Sequence, residues 1–142
     1  MISLAGREAD IVGVNANLRA GAVGPEAAFD FAAESVDEKV SWVRKAAADA
    51  GRSDDDYELQ ISTFMCRVTS SADETRQFKE NIAAMFGGDV GMVHGSPAVL
   101  AGTVEECCDT LVERRERWGF SYIGLAGDIK DTAPIVAQLA GS

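Results

Sequence analysis

The sequence predicts an α/β fold with parallel strands, and three observations carry that prediction. Short β-branched runs alternate along the chain with longer amphipathic stretches. A capping-box spacing recurs at Ser35–Glu38, Ser71–Glu74 and Thr103–Glu106, each at the mouth of a helical stretch. No Asn-Gly or Asp-Gly pair separates adjacent apolar runs, so hairpins are not signalled and crossover connections are.

The elements follow in order. Ala9 to Asn15 reads as a buried strand, and the Gly-containing stretch from Asn17 to Gly24 as a long loop. Pro25 can open a helix, since its missing N–H costs nothing in a first turn. The stronger start is Ser35, after which Val36, Val40, Val43 and Ala47 form one apolar stripe that Gly51 terminates. Tyr57 to Thr69 is the clearest strand: Leu59 and Ile61 fall on one alternating set and Phe64, Cys66 and Val68 on the other. That change of phase fits a strand buried on both faces or one bulged near its middle. Ser71 opens a helix carrying Phe78, Ile82 and Met85 and ending at Gly87-Gly88. Residues 89–102 read as a short helix or loop, because Gly91, Gly95 and Pro97 interrupt any longer element. Thr103 opens a helix with Val104, Cys108, Leu111 and Trp118 on its stripe and Gly119 at its end. Tyr122 to Leu125 reads as a short strand, and Asp131 as the cap of a last helix with Ile135, Val136 and Leu139. Periodicity does not separate an open doubly wound sheet from an arc of a barrel, since both are built from the same βα unit.

Composition bounds the function. A chain of 142 residues with 46% hydrophobic and 25% charged residues has the makings of one packed domain, 1–142. Its net charge of -10 repels phosphate backbones and anionic lipid, so no nucleic-acid or membrane partner is expected. No run approaches the roughly 20 apolar residues of a membrane span, and Met1 to Asp10 lacks the pattern of a secretory leader, so a cytoplasmic location is expected. Three cysteines without C-x-x-C spacing provide neither a disulfide framework nor a thiolate metal site, and no metal is expected.

Three segments together carry a family resemblance. Leu100 to Ile123 (LAGTVEECCDTLVERRERWGFSYI), Ala5 to Val14 (AGREADIVGV) and Glu38 to Arg44 (EKVSWVR) resemble, in the same order, the C-terminal part of luciferase-like flavin- or deazaflavin-dependent oxidoreductases. Val104 stands where that family usually has proline. The resemblance implies a partial (β/α)8 TIM barrel, with about the last three of eight strands and their helices. The implied activity is monooxygenase-like two-electron chemistry with FMN or coenzyme F-420. Such an arc would leave two unpaired edges and an uncovered inner face, so a homo-oligomer (a dimer), or a partner chain supplying the missing strands, is expected to complete a pocket. The alternative is a non-catalytic barrel remnant that serves as an oligomerising or assembly module.

Site residues are carried by position. Asn15 and Asn17 follow the first strand at the end where barrel enzymes hold their ligands, though loop asparagines also form turns. Asp128 holds the same place after the last strand. Gly102 and Thr103 could present free N–H groups to a cofactor phosphate, or simply cap their own helix, with Glu105 and Glu106 repelling an anion. His94 has no nucleophile or carboxylate partner at a motif spacing and reads as a loop residue, so no catalytic residue is assigned. Arg114, Arg115 and Arg117 among Glu113 and Glu116 read as solvated ion pairs, Trp42 and Trp118 as core, and Asp54-Asp55-Asp56 as a solvated turn.

Overall fold

The computed structural model describes residues 1–16, 29–87 and 90–141. The helix foreseen at Pro25 and the loop from Asn17 to Gly24 lie outside those residues. In chain order the elements are α1 (Ile2–Glu8), β1 (Ile11–Gly13), α2 (Ala33–Asp49), a 3-10 turn (Asp54–Asp56), β2 (Glu58–Thr63), β3 (Met65–Val68), α3 (Ala72–Met85), α4 (Val90–Val93), β4 (Val99–Gly102), α5 (Val104–Trp118), β5 (Phe120–Leu125) and α6 (Ile129–Leu139).

All paired strands are parallel, as the crossover grammar predicted. One sheet has the order β1-β2-β5 and the other pairs β3 with β4. The Tyr57–Thr69 run is therefore two strands. At Phe64 the backbone leaves the first sheet, and the Phe64 and Met65 N–H groups both donate to Ala98 O, at 2.9 and 3.1 Å. That redirection explains the change of apolar phase. It also supplies the partner for β4, a strand the glycines and proline of 91–97 concealed.

The main core lies between the three-stranded sheet and α2. Val12, Leu59, Ile61 and Phe120 meet Val36, Val40, Val43 and Ala47, and Trp118 closes one end. The α2 stripe is as foreseen, but the helix begins at Ala33. Ser35 sits inside it with its hydroxyl donating to Phe29 O at 3.2 Å, so no capping box forms there. Trp42 is 45% exposed, which corrects its reading as core, because it lies roughly 130° round the helix from the stripe. Gly6 of α1 lets that helix press on α2, since a Cβ there would stand 2.7 Å from Val43 O.

A second cluster joins Cys66, Leu100, Cys107, Cys108, Leu111 and Ile135 under α5 and α6. All three cysteines are free and buried. Burial pushes the Cys66 thiol up and the Cys107 thiol to about 11, so both stay protonated and unreactive at neutral pH. Among the described residues no helix is long and apolar enough to cross a membrane.

Arg114 overturns the reading of the 114–117 face as solvated. It is 7% exposed and donates to three backbone carbonyls, Ser96 O at 2.9 Å, Pro97 O at 3.2 Å and Val99 O at 2.6 Å. Its spacing from Leu111 and Trp118, three and four residues, had placed it on the buried stripe all along. Burial lowers its pKa to about 10, which leaves it charged at neutral pH. Arg117 does face solvent, where it forms a forked pair with Asp37 at 3.0 and 2.6 Å, while Trp118 Nε1 donates to the same carboxylate at 2.6 Å. The hydrogen bond from Arg117 holds the Asp37 carboxyl below its usual range, and α2 is thereby tied to α5.

Candidate functional site

Among the described residues, the three-stranded sheet is covered on one face and open on the other. Side chains alternate along a strand, so burial of Leu59, Ile61 and Thr63 sends Glu58, Gln60 and Ser62 to the opposite side. There the register places Gly13, Gln60 and Tyr122 in one row across all three strands, with Ser62 beside Gly124 in the next. Two glycines thus flank the central polar pair, and Gln60 Nε2 donates to Ser62 Oγ at 3.1 Å. A Cβ on Gly13 would lie 3.1 Å from both Asn15 Nδ2 and Gln60 Oε1, so two side-chain amides converge over the bare backbone. Glu58 and Ser121, joined at 3.4 Å, and half-exposed Ile11 and Tyr122 complete the open face. That face is mainly polar at its centre.

The candidate residues separate into two groups. Asn15, just past β1, and Asp128, just past β5, flank β2 at the same C-terminal end of this sheet. Asn15 is exposed, and its carbonyl accepts from Lys39 Nζ at 3.2 Å. Lys39 is itself buried and paired with Asp30 at 2.7 Å, which fixes the start of the connection after β1. Asn17 lies outside the described residues. Asp128 is the N-cap of α6 and accepts from Lys130 N–H at 2.9 Å, the role the sequence had given to Asp131, which lies within the helix.

Gly102 and Thr103 stand elsewhere, at the end of β4. The Thr103 capping box is complete: Glu106 N–H donates to Thr103 Oγ1 at 3.2 Å and Thr103 N–H to Glu106 Oε2 at 2.8 Å. A carboxylate already occupies the donor an incoming phosphate would use, and a Cβ on Gly102 would meet it at 2.9 Å. Ser71 caps α3 by accepting from Glu74 N–H at 3.2 Å, whereas the Glu74 carboxylate turns to Ser70. His94 sits in the turn after α4. Among the described residues no cluster of His, Cys, Asp and Glu could hold a metal ion.

Sequence reasoning missed Gln60, Ser62 and the two glycines beside them. Their signal was present in Glu58-Leu59-Gln60-Ile61-Ser62, where polar residues hold every second place of a strand otherwise suited to full burial.

No family model matches the sequence, and neither does any curated protein. Solved structures do match. Monooxygenase RslO1 from Streptomyces bottropensis aligns over 98% of this chain and 43% of its own at 19% identity and a TM-score of 0.53. A long-chain alkane monooxygenase, LadA, aligns over 96% of this chain and 38% of its own at 16% identity and a TM-score of 0.57. The coenzyme F-420-dependent tetrahydromethanopterin reductase from Methanopyrus kandleri aligns over 98% and 46% at 18% identity and a TM-score of 0.55. The chain spans less than half the length of each of these proteins. The resemblance seen in the sequence therefore has its counterpart in three dimensions: this chain shares its α/β fold with a stretch of the luciferase-like oxidoreductases.

Proposed function

We propose that the chain is the C-terminal part of a luciferase-like oxidoreductase, with β1, β2 and β5 as an arc of a (β/α)8 barrel and the Gly13–Gln60–Tyr122 row facing inward. The observation that carries this reading is a parallel sheet that, among the described residues, helices pack on one face only, its other face polar at the centre and bare at two glycines. Parallel sheets are ordinarily covered on both sides. One matched structure is a riboflavin lyase with modified FMN and riboflavin, and another is named for its dependence on coenzyme F-420. A flavin-type ring fits the residues present. The amides of Asn15 and Gln60 each donate and accept, matching the mixed polar edge of such a ring, and Gly13 and Gly124 allow close approach. When bound, the cofactor supplies two-electron transfer; the chain supplies position, hydrogen bonds and exclusion of water.

Neither outer edge of the sheet has a strand partner among the described residues, so a complete pocket needs strands from elsewhere, a second copy of the chain in the simplest case. An assembly module without chemistry is the second reading. It is favoured by an apolar groove of about 440 Å³ beside β5, lined by Val112, Tyr122, Ile123, Val136 and Leu139 among others. Titration with FMN and with coenzyme F-420, followed by fluorescence and by sedimentation, separates the two. Micromolar binding of either cofactor, weakened about tenfold in Gln60→Ala, is expected. Association without binding of either would leave only the assembly role.

A further inference from the structure

A second cleft lies between α3 and α5, over β4, with a volume of about 240 Å³. Its walls carry Lys79 from α3, His94 and Gly95 from the turn after α4, and Thr110, Arg114 and Arg117 from α5. In a chain of net charge -10, this cleft gathers two guanidinium groups, one ammonium and the only histidine against one lining carboxylate, Glu113. Asp37 neutralises Arg117 through their forked pair, so Lys79 and Arg114 remain against Glu113, an excess of one positive charge.

The balance of donors and acceptors points the same way as the charge. Val99, which lines the cleft, already accepts at its carbonyl from Arg114, whose other bonds go to Ser96 O and Pro97 O. Thr110 spends its hydroxyl proton on Glu106 O at 2.8 Å. By contrast, neither the Lys79 ammonium nor the His94 ring has a partner among the described residues. An imidazole offers at least one N–H donor in either protonation state, and an ammonium offers three. The unmatched groups of the cleft are thus the donors of Lys79 and His94 against the single carboxylate of Glu113, and a ligand that matches the donors is an acceptor-rich anion. The volume falls below the roughly 300 Å³ at which sites for larger organic ligands begin, which suits a small anion rather than an enclosed dinucleotide or flavin.

We propose that the cleft between α3 and α5 binds the phosphate group of a small molecule, with Lys79 and His94 as the donors to it and Arg114 supplying a fixed positive field from below. The site shares no lining residue with the Gly13–Gln60–Tyr122 row, so it stands or falls apart from the oxidoreductase reading. Amide NMR spectra of the intact chain, titrated with inorganic phosphate, with glycerol phosphate and with chloride at matched ionic strength, test it. Saturable shifts at Lys79, Gly95 and Ala101 with either phosphate, absent with chloride, are expected. Tighter binding of glycerol phosphate assigns an organic phosphate, and equal affinity assigns the free ion. Lys79→Gln should weaken binding about tenfold, while Lys45→Gln, whose partner is Asp49 on the surface of α2, should leave it unchanged. Shifts that grow linearly and match those with chloride, or an affinity untouched by Lys79→Gln, would overturn the proposal.

Discussion

On one side of β2, Leu59, Ile61 and Thr63 are 4%, 0% and 0% exposed; on the other, Glu58, Gln60 and Ser62 keep contact with water. The two sides obey different rules. The first is close-packed against α2, where every methyl group has neighbours and volume decides stability. The second has glycines at two of its flanking positions, half-exposed Ile11 and Tyr122 at others and hydrogen-bonding groups at its centre, so it adds little to stability and is free to meet a ligand. Strands of this fold class are usually apolar on both faces, and the departure locates the part of the molecule shaped by something other than folding.

Four substitutions would break or sharpen that contrast. Ile61→Ala should cost about 2–5 kcal/mol in urea unfolding, since it empties volume in the tightest part of the core; a loss below about 1 kcal/mol would erase the distinction between the faces. Gly6→Ala, which drives a Cβ against the Val43 backbone, should cost about 1–3 kcal/mol and speed amide exchange in α1 ahead of the sheet. Asp37→Asn should cost no more than about 1 kcal/mol near neutral pH, because its pair is half exposed. The folded Asp37 carboxyl titrates below 3.8, so its contribution is complete above that value and is lost as pH falls through the folded pKa. The gap between wild type and variant should accordingly close in acid, as measured by unfolding across that range. Gln60→Ala should change stability by no more than about 0.5 kcal/mol, and any larger loss would make the open face part of the scaffold.

The contrast also explains which features were legible in the sequence. Helix stripes and the Thr103–Glu106 box were readable because each depends on residues within one or two turns of one another. Parallel pairing followed from the absence of hairpin chemistry. By contrast, β4 was hidden: Val99 to Gly102 is too short to show a period, and its pairing with β3 depends on the chain turning at Phe64. Asp128 replaced Asp131 as a cap because only geometry decides which of two nearby acids meets a free N–H. The Gln60–Ser62 pair was visible as alternation, yet its meaning required knowing which face α2 covers. Arg114 was misjudged by weighing its charge above its spacing.

That arginine has a consequence for how sequences of this kind can diverge. Its three acceptors are all main-chain oxygens, so the tether between α5 and the turn before β4 reads no side chain at positions 96, 97 or 99. The tether itself therefore sets no requirement on those buried side chains beyond their packing, whereas lysine at 114 could not reproduce its planar fork of donors. In related chains, an arginine kept through changes at these positions that preserve their burial would be the expected signature.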